Sequence, residues 1–212
     1  AEAGEKADEL LEDFRCRCTE AGVATETEEF CGTPVAEILL EAQRHDVVLL
    51  GKQTYFQYET GTQQDDIVDK IIEHSPRPVV VAPEQVDVPN ATTLIAYDSS
   101  LQAAKALNSF VTSGLAEKRT LHLVSVDEQQ ERADHKIRRA VDYLQKHELS
   151  VETHAISSKA TVGEVLLDRV AELNAGLLVM GVFGKPSLQS FFFGSTTKHI
   201  LKNASVPVFV DH

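Results

Sequence analysis

The chain has 212 residues, of which 42% are apolar and 25% charged, with a formal net charge of −13. That is enough for one large or two small domains with real cores, and it excludes a disordered chain. The acid excess, with Lys and Arg scattered among acids, argues against nucleic-acid affinity, and no apolar run approaches the ~20 residues that cross a bilayer.

Residues 5–21 are amphipathic, with Ala7, Leu10, Leu11, Phe14 and Cys18 near one helical face, and Gly22 is placed to end that helix. The segment shows no secretory leader pattern. The three cysteines are Cys16, Cys18 and Cys31. An odd, sparse set without an export signal reads as reduced thiols, and the expected compartment is the cytoplasm. Cys16-Arg17-Cys18 could be half of a metal site, but no second cysteine pair completes it. Residues 23–30 alternate and are a candidate edge strand. Thr33-Pro34 opens a helix that carries Val35, Ile38, Leu39 and Ala42 inward. Asp46 to Gly51 is a short continuous apolar run, the mark of a strand buried on both faces. A polar stretch, 52–64, leads to a short helix, Asp66 to His74, and to a strand, 78–82.

Residues 84–91 read as a linker. A strand at 93–98 follows, then a helix capped by Ser99 and running to about Gly114. Next come a strand at 120–126, a long helix at 128–147 and a strand at 151–156. A helix at 161–173 has Val162, Val165, Leu166 and Val170 inward, and Leu177–Met180 is a further strand. Alternating strands and helices of this kind predict a parallel sheet with helices on both faces.

The stretch after Met180 carries the chemistry. Gly181, Gly184 and Gly194 punctuate a loop between a buried strand and a helix beginning near Thr197, and Val206 to Val210 closes the chain as a strand. A helix start offers unpaired N–H groups and the positive end of the dipole to an anion. Ser195, Thr196 and Thr197 can cap the helix and present hydroxyls. The spacing is neither GxGxxG nor the P-loop pattern.

The chain also repeats. Ala36-Glu-Ile-Leu39 matches Gly163-Glu-Val-Leu166, Val47 to Gly51 matches Leu177 to Gly181, and Ser75 to Val81 matches Ala204 to Val210. Counterparts of Thr93 to about Asp127 do not precede Ala1.

These glycines, with the closing Gly194-Ser195, resemble the nucleotide loop of ATP-binding universal stress proteins. The order of elements resembles a tandem pair of such domains. The resemblance implies an α/β fold of two Rossmann-like parallel-sheet domains: residues 1–85, an incomplete and degenerate copy, and residues 91–212, a complete one. In that family the first strand is central to the sheet, so a truncated first copy is the expectation. It further implies that strands 78–82 and 207–211 meet, making an intramolecular pseudo-dimer, with a homodimer as a further possibility. Matched position by position, Asp98 and the backbone of Val126 would contact adenine. Met180 and Gly181 would lie against adenine and ribose, and Gly184, Gly194, Ser195 and Thr196 would hold phosphates. The alternative reading of Asp98 is a turn or cap residue before the next helix.

The expected ligand is ATP, alone or with magnesium, and the expected role is nucleotide-dependent regulation in a stress response. No catalytic residue is assigned, so hydrolysis would be slow at most. His122, His154 and His199 stand on separate elements without metal-ligand spacing, and no metal site is expected. Lys185 is near enough to neutralise a phosphate, and the run Phe191-Phe192-Phe193 packs the loop or meets a partner. The first half keeps Gly51 but has Thr54, Asp65 and Asp66 where the second has Gly184, Gly194 and Ser195, so it is expected not to bind. Alternative functions are a ligand-free interaction scaffold of the same fold and an ATP-pyrophosphatase-like enzyme. The latter wants a glycine-rich loop where Tyr97-Asp98-Ser99-Ser100 stands.

Overall fold

A computed structural model describes residues 2–30, 32–52, 65–86, 91–182, 184–186 and 191–212. The chain packs as two compact units, Ala1–Thr33 and Pro34–His212.

The first unit is helix α1 (Glu2–Glu20) and the segment after it. Gly22, at φ +68°, closes the helix in the left-handed conformation that a side chain resists. The Val23 N–H reaches the Cys18 carbonyl and the Gly22 N–H that of Thr19, which satisfies two terminal acceptors. The described part of 23–30 forms no strand, contrary to its alternating pattern. Instead the Arg15 guanidinium donates to the Thr27 hydroxyl. Alternation is a surface pattern, and without a neighbouring strand to pair with it does not make one.

The second unit starts with α2 (Pro34–Glu41), a short 3-10 turn (Ala42–Arg44), β1 (Val48–Gly51), α3 (Asp65–His74) and β2 (Val79–Ala82). It continues with β3 (Thr92–Ala96), α4 (Leu101–Thr112), β4 (Thr120–Asp127), α5 (Gln130–Lys146), β5 (Val151–Ser157) and α6 (Val162–Glu172). It closes with β6 (Leu177–Gly181), β7 (Gly184–Pro186), β8 (Phe191–Phe193), α7 (Ser195–Asn203) and β9 (Val208–Asp211). Seven strands form one sheet in the order β1-β2-β9-β6-β3-β4-β5. From β9 to β5 every pairing is parallel, as the alternation predicts. The strands at 78–82 and 207–211 do meet: β2 pairs antiparallel with β9, Val80 opposite Phe209.

The period of two sorts the core onto the two faces. Leu178, Met180, Val124, Val126, Val208 and Val210 pack with Leu166 of α6 and Ile200 of α7 on one face. Leu177, Val179, Leu121, Leu123 and Phe209 pack with Leu107 and Phe110 of α4 and Leu144 of α5 on the other. β1 departs from the expected doubly buried strand. Leu50 is buried, but Leu49 is 72% exposed. β1 is the last strand of the sheet, and its alternate side chain has no helix over it among the described residues.

Candidate functional site

β3 has β6 on one side and β4, reached through α4, on the other. This is the switch point of an open parallel sheet, where a crevice opens beyond the carboxyl ends of the strands. A cavity of about 330 Å³ lies there. Tyr97 and Asp98 follow β3, and the Tyr97 N–H still pairs with the Val124 carbonyl. Val126 of β4 and Met180 and Gly181 of β6 give its sheet side. Gly194, Ser195, Thr196 and Thr197 bring the start of α7 to it. Asp98, Val126, Met180, Gly181, Gly194, Ser195 and Thr196 thus line one cavity. Gly184 does not line its described part. It lies in β7, paired with Phe193, because a small antiparallel hairpin occupies the segment read as an open loop. Phe193 is buried in the sheet-side core, as expected for part of the phenylalanine run. Positions 53–64, 183 and 187–190, with the Thr54 comparison, and the side chains of Lys185, Phe191 and Phe192 lie outside the described residues.

The caps differ from expectation in ways that matter chemically. The N-cap of α7 is Gly194, with no side-chain cap hydrogen bond, so Ser195, Thr196 and Thr197 form the first turn instead of capping it. The earliest N–H of this turn to bond back into the helix is that of Lys198, to the Gly194 carbonyl at 3.1 Å. The preceding amides belong to the group a helix leaves for an outside acceptor. At α4 the cap is Ser100, whose hydroxyl accepts from the Ala103 N–H at 3.1 Å, whereas Ser99 sits at φ +64° in the turn before it. Asp98 Oδ1 accepts from the Ser100 N–H at 2.9 Å. Asp98 is therefore both a turn residue and a cavity residue. One carboxylate oxygen stiffens the turn, which fixes the carboxylate where it lines the cavity.

Gly181 is needed for the protein's own packing. A Cβ there would come within 2.4 Å of the Ala103 amide nitrogen and the Gln102 carbonyl carbon. The absent side chain lets β6 lie against the first turn of α4.

Several lining residues were not assigned to the site from the sequence, among them Lys136, Tyr97, Val162 and Leu166. Lys136 of α5 faces the cavity and holds Asp127 Oδ2 at 2.8 Å. That ammonium and the Gln129 N–H keep the Asp127 carboxyl below its ordinary range. Tyr97 is kept neutral, its phenol pushed up by burial and by the Asp98 charge. Val162 and Leu166 of α6 add an apolar wall. Val162, expected inward, is 40% exposed toward this opening. It follows Thr161, whose capping box with Glu164 fixes the start of α6 and lowers the Glu164 carboxyl. Lys136 could have been suspected from its place nearly two turns into the helix after β4, but only the fold says which way it faces.

An apolar bed, one oriented carboxylate and a helix start with unused donors suit a flat heterocycle that carries an anionic group. The titratable groups along the described lining are Tyr97, Asp98 and Lys136.

Residues 90–212 match the model of the universal stress protein family. A universal stress protein of Synechocystis is 31% identical over 170 residues, covering 77% of this chain and 56% of the relative, so the chain spans about half that relative's length. Among solved structures, a universal stress protein from Archaeoglobus fulgidus covers 98% of this chain and 78% of its own length, with a TM-score of 0.76 at 24% identity. A functionally unknown protein from Pseudomonas aeruginosa covers 96% of this chain and 77% of its own length, with a TM-score of 0.61 at 16% identity. These last two show a shared fold. No described helix is long and apolar enough to cross a membrane. On the match over 90–212 and the identity to its relative, the chain belongs to the universal stress protein family.

Proposed function

We propose that the cavity at the switch point binds an adenine nucleotide, ATP in the first instance, and that the protein is a nucleotide-dependent regulator. The observation that carries this reading is the convergence of Asp98, Val126, Met180, Gly181 and the start of α7 on one cavity. Adenine lies on the apolar bed, with its amino group donating to Asp98. The phosphates lie at Gly194, Ser195 and Thr196, where the amides of the first turn and the hydroxyls supply donors. Gly184 joins them through the hairpin. Magnesium would accompany ATP as a counter-ion. Asp98 is the sole carboxylate along the described lining and is assigned to adenine, so hydrolysis is slow at most.

The tandem reading belongs to the same proposal: residues 1–85 are an incomplete copy of the fold, and residues 91–212 are the complete copy that holds the nucleotide. The antiparallel pairing of β2 with β9 supports it, since two copies joined through their last strands make a pseudo-dimer. A stress-response role, a cytoplasmic location and homodimerisation rest on the family resemblance. Calorimetric titration with ATP, and mass spectrometry of ligand released from the purified protein, test the reading. One ATP per chain is the expected result. Neither carried nor titratable nucleotide would leave an interaction scaffold of the same fold.

A further inference from the structure

At the other side of the sheet from β1, strand β5 lies parallel to β4, with His122 opposite Glu152 and Val124 opposite His154. Residues two apart on a strand share a face, so the parallel register gathers His122, Glu152 and His154 on the side of Val124 and Val126. His122 Nδ1 lies 3.0 Å from His154 Nε2. Glu152 reaches both rings, Oε2 at 3.6 Å from His122 Nδ1 and Oε1 at 3.8 Å from His154 Nε2. We propose that His122, Glu152 and His154 form a three-ligand site for a divalent transition metal ion, with zinc as the fitting example.

The chemistry follows from the donor set. Two imidazoles set nitrogen to nitrogen hold at most one proton between them when neutral, and a metal ion in its place takes a lone pair from each. Imidazole and carboxylate are ordinary zinc donors, and tetrahedral bonds of about 2.0–2.1 Å place ligand atoms roughly 3.3 Å apart. The histidine pair stands slightly inside that separation and the carboxylate slightly outside it. Side-chain rotations of a few tenths of an ångström, roughly, close the site. His122 is buried, His154 is partly buried and Glu152 is exposed. A fixed two-histidine base with a movable carboxylate on the solvent side gives an entry path and leaves a fourth position for water. Arg169 of α6 is the neighbouring cation that acts on His154, and Glu172 holds it at 2.7 Å. The site is separate from the nucleotide cavity: His122 precedes Val126 by four residues, roughly 13 Å along β4.

The test uses untagged, chelator-stripped protein in which Cys16, Cys18 and Cys31 are changed to serine, so that thiols take no metal. Zinc chloride is titrated by calorimetry, and cobalt chloride by its visible absorption. One ion per chain is expected, with a raised melting temperature. Glu152→Gln and His154→Gln should each weaken zinc binding by more than the roughly 10–100-fold that losing an outer-shell partner costs. They should also remove the zinc-dependent rise in melting temperature. Glu152 is exposed, so its variant carries no folding risk, and the unfolding midpoint of the metal-free protein checks both variants. No stoichiometric zinc, or zinc affinity in Glu152→Gln and His154→Gln equal to that of the starting protein, overturns the site and leaves a histidine–histidine hydrogen bond.

Discussion

A Cβ built on Gly181 would stand 2.4 Å from the amide nitrogen of Ala103. The contact is with backbone at the start of α4, which cannot rotate away. Gly181→Ala must push α4 from the sheet, and overpacking of this kind costs about 1–3 kcal/mol. The expected result is a lower urea midpoint in the absence of any nucleotide. An unchanged midpoint would mean that the strand and helix separate freely, and would return the glycine to a purely ligand-facing role.

Phe209 sits at the join between the strand pair β1-β2 and the rest of the sheet, opposite Val80. Its ring is fully buried and meets that of Phe110 edge to face, with centroids 5.7 Å apart. Phe209→Ala removes this contact and leaves a cavity under α4, and a buried Phe→Ala change costs about 3–5 kcal/mol. Chemical denaturation should show that loss. Native-state hydrogen exchange should show β2 and β9 losing protection together.

His212 supplies a pH dependence. Burial is the main cause that lowers its pKa below the usual value, with help from the Lys105 charge, and Asp211, His74 and Glu73 are the other charged or titratable neighbours. Lys105 Nζ donates to the His212 carbonyl at 2.6 Å, and Asp211 Oδ1 accepts from its N–H at 2.8 Å. The folded protein resists protonating this ring, while the unfolded chain takes the proton near pH 6.5. The stability that the neutral ring contributes is therefore present above about pH 6.5 and is lost as pH falls toward the lowered value. His212→Gln should flatten that decline in unfolding midpoints measured between pH 7.5 and 5.5. An unchanged slope would assign the decline to other histidines.

Much of this architecture was legible in the residues because buried parallel strands write themselves as apolar runs. Leu177–Met180 and the run at 121–126 needed no structure to be seen as central. The cavity was legible for the same reason, since its residues sit where those runs end. What stayed hidden depends on partners. Ser99 and Ser100 are equally good caps on paper, and only the turn made by Asp98 selects Ser100. The β7-β8 hairpin interrupts a glycine pattern that reads as loop. His122 and His154 lie 32 residues apart in sequence, and their meeting requires the parallel register of β4 with β5. Lys136 faces the cavity through the rotation of α5, and a helical pattern fixes that only relative to a known core.

The last prediction separates ligand binding from folding at one residue. Gly194 is the N-cap of α7 at φ −59° and ψ 155°, a conformation any residue adopts. Aspartate is a good N-cap, better than glycine by a few tenths of a kcal/mol, because its carboxylate accepts from the first-turn amides. Gly194→Asp should therefore leave the unfolding midpoint unchanged or slightly raised. The same carboxylate occupies the donors proposed for phosphate and sets a negative charge beside it, at a cost of several kcal/mol at short, partly buried range. ATP binding should be abolished in the variant, against one site per chain in the starting protein. Calorimetric titration of both proteins, beside urea denaturation of both, gives the comparison. Unchanged affinity would move the phosphates away from α7. A stoichiometry near two would show that the half containing Asp65 and Asp66 also binds, against the expectation that these carboxylates repel phosphate. Lost affinity together with lost stability would mean that the variant reports on folding, and that the start of α7 needs glycine for packing.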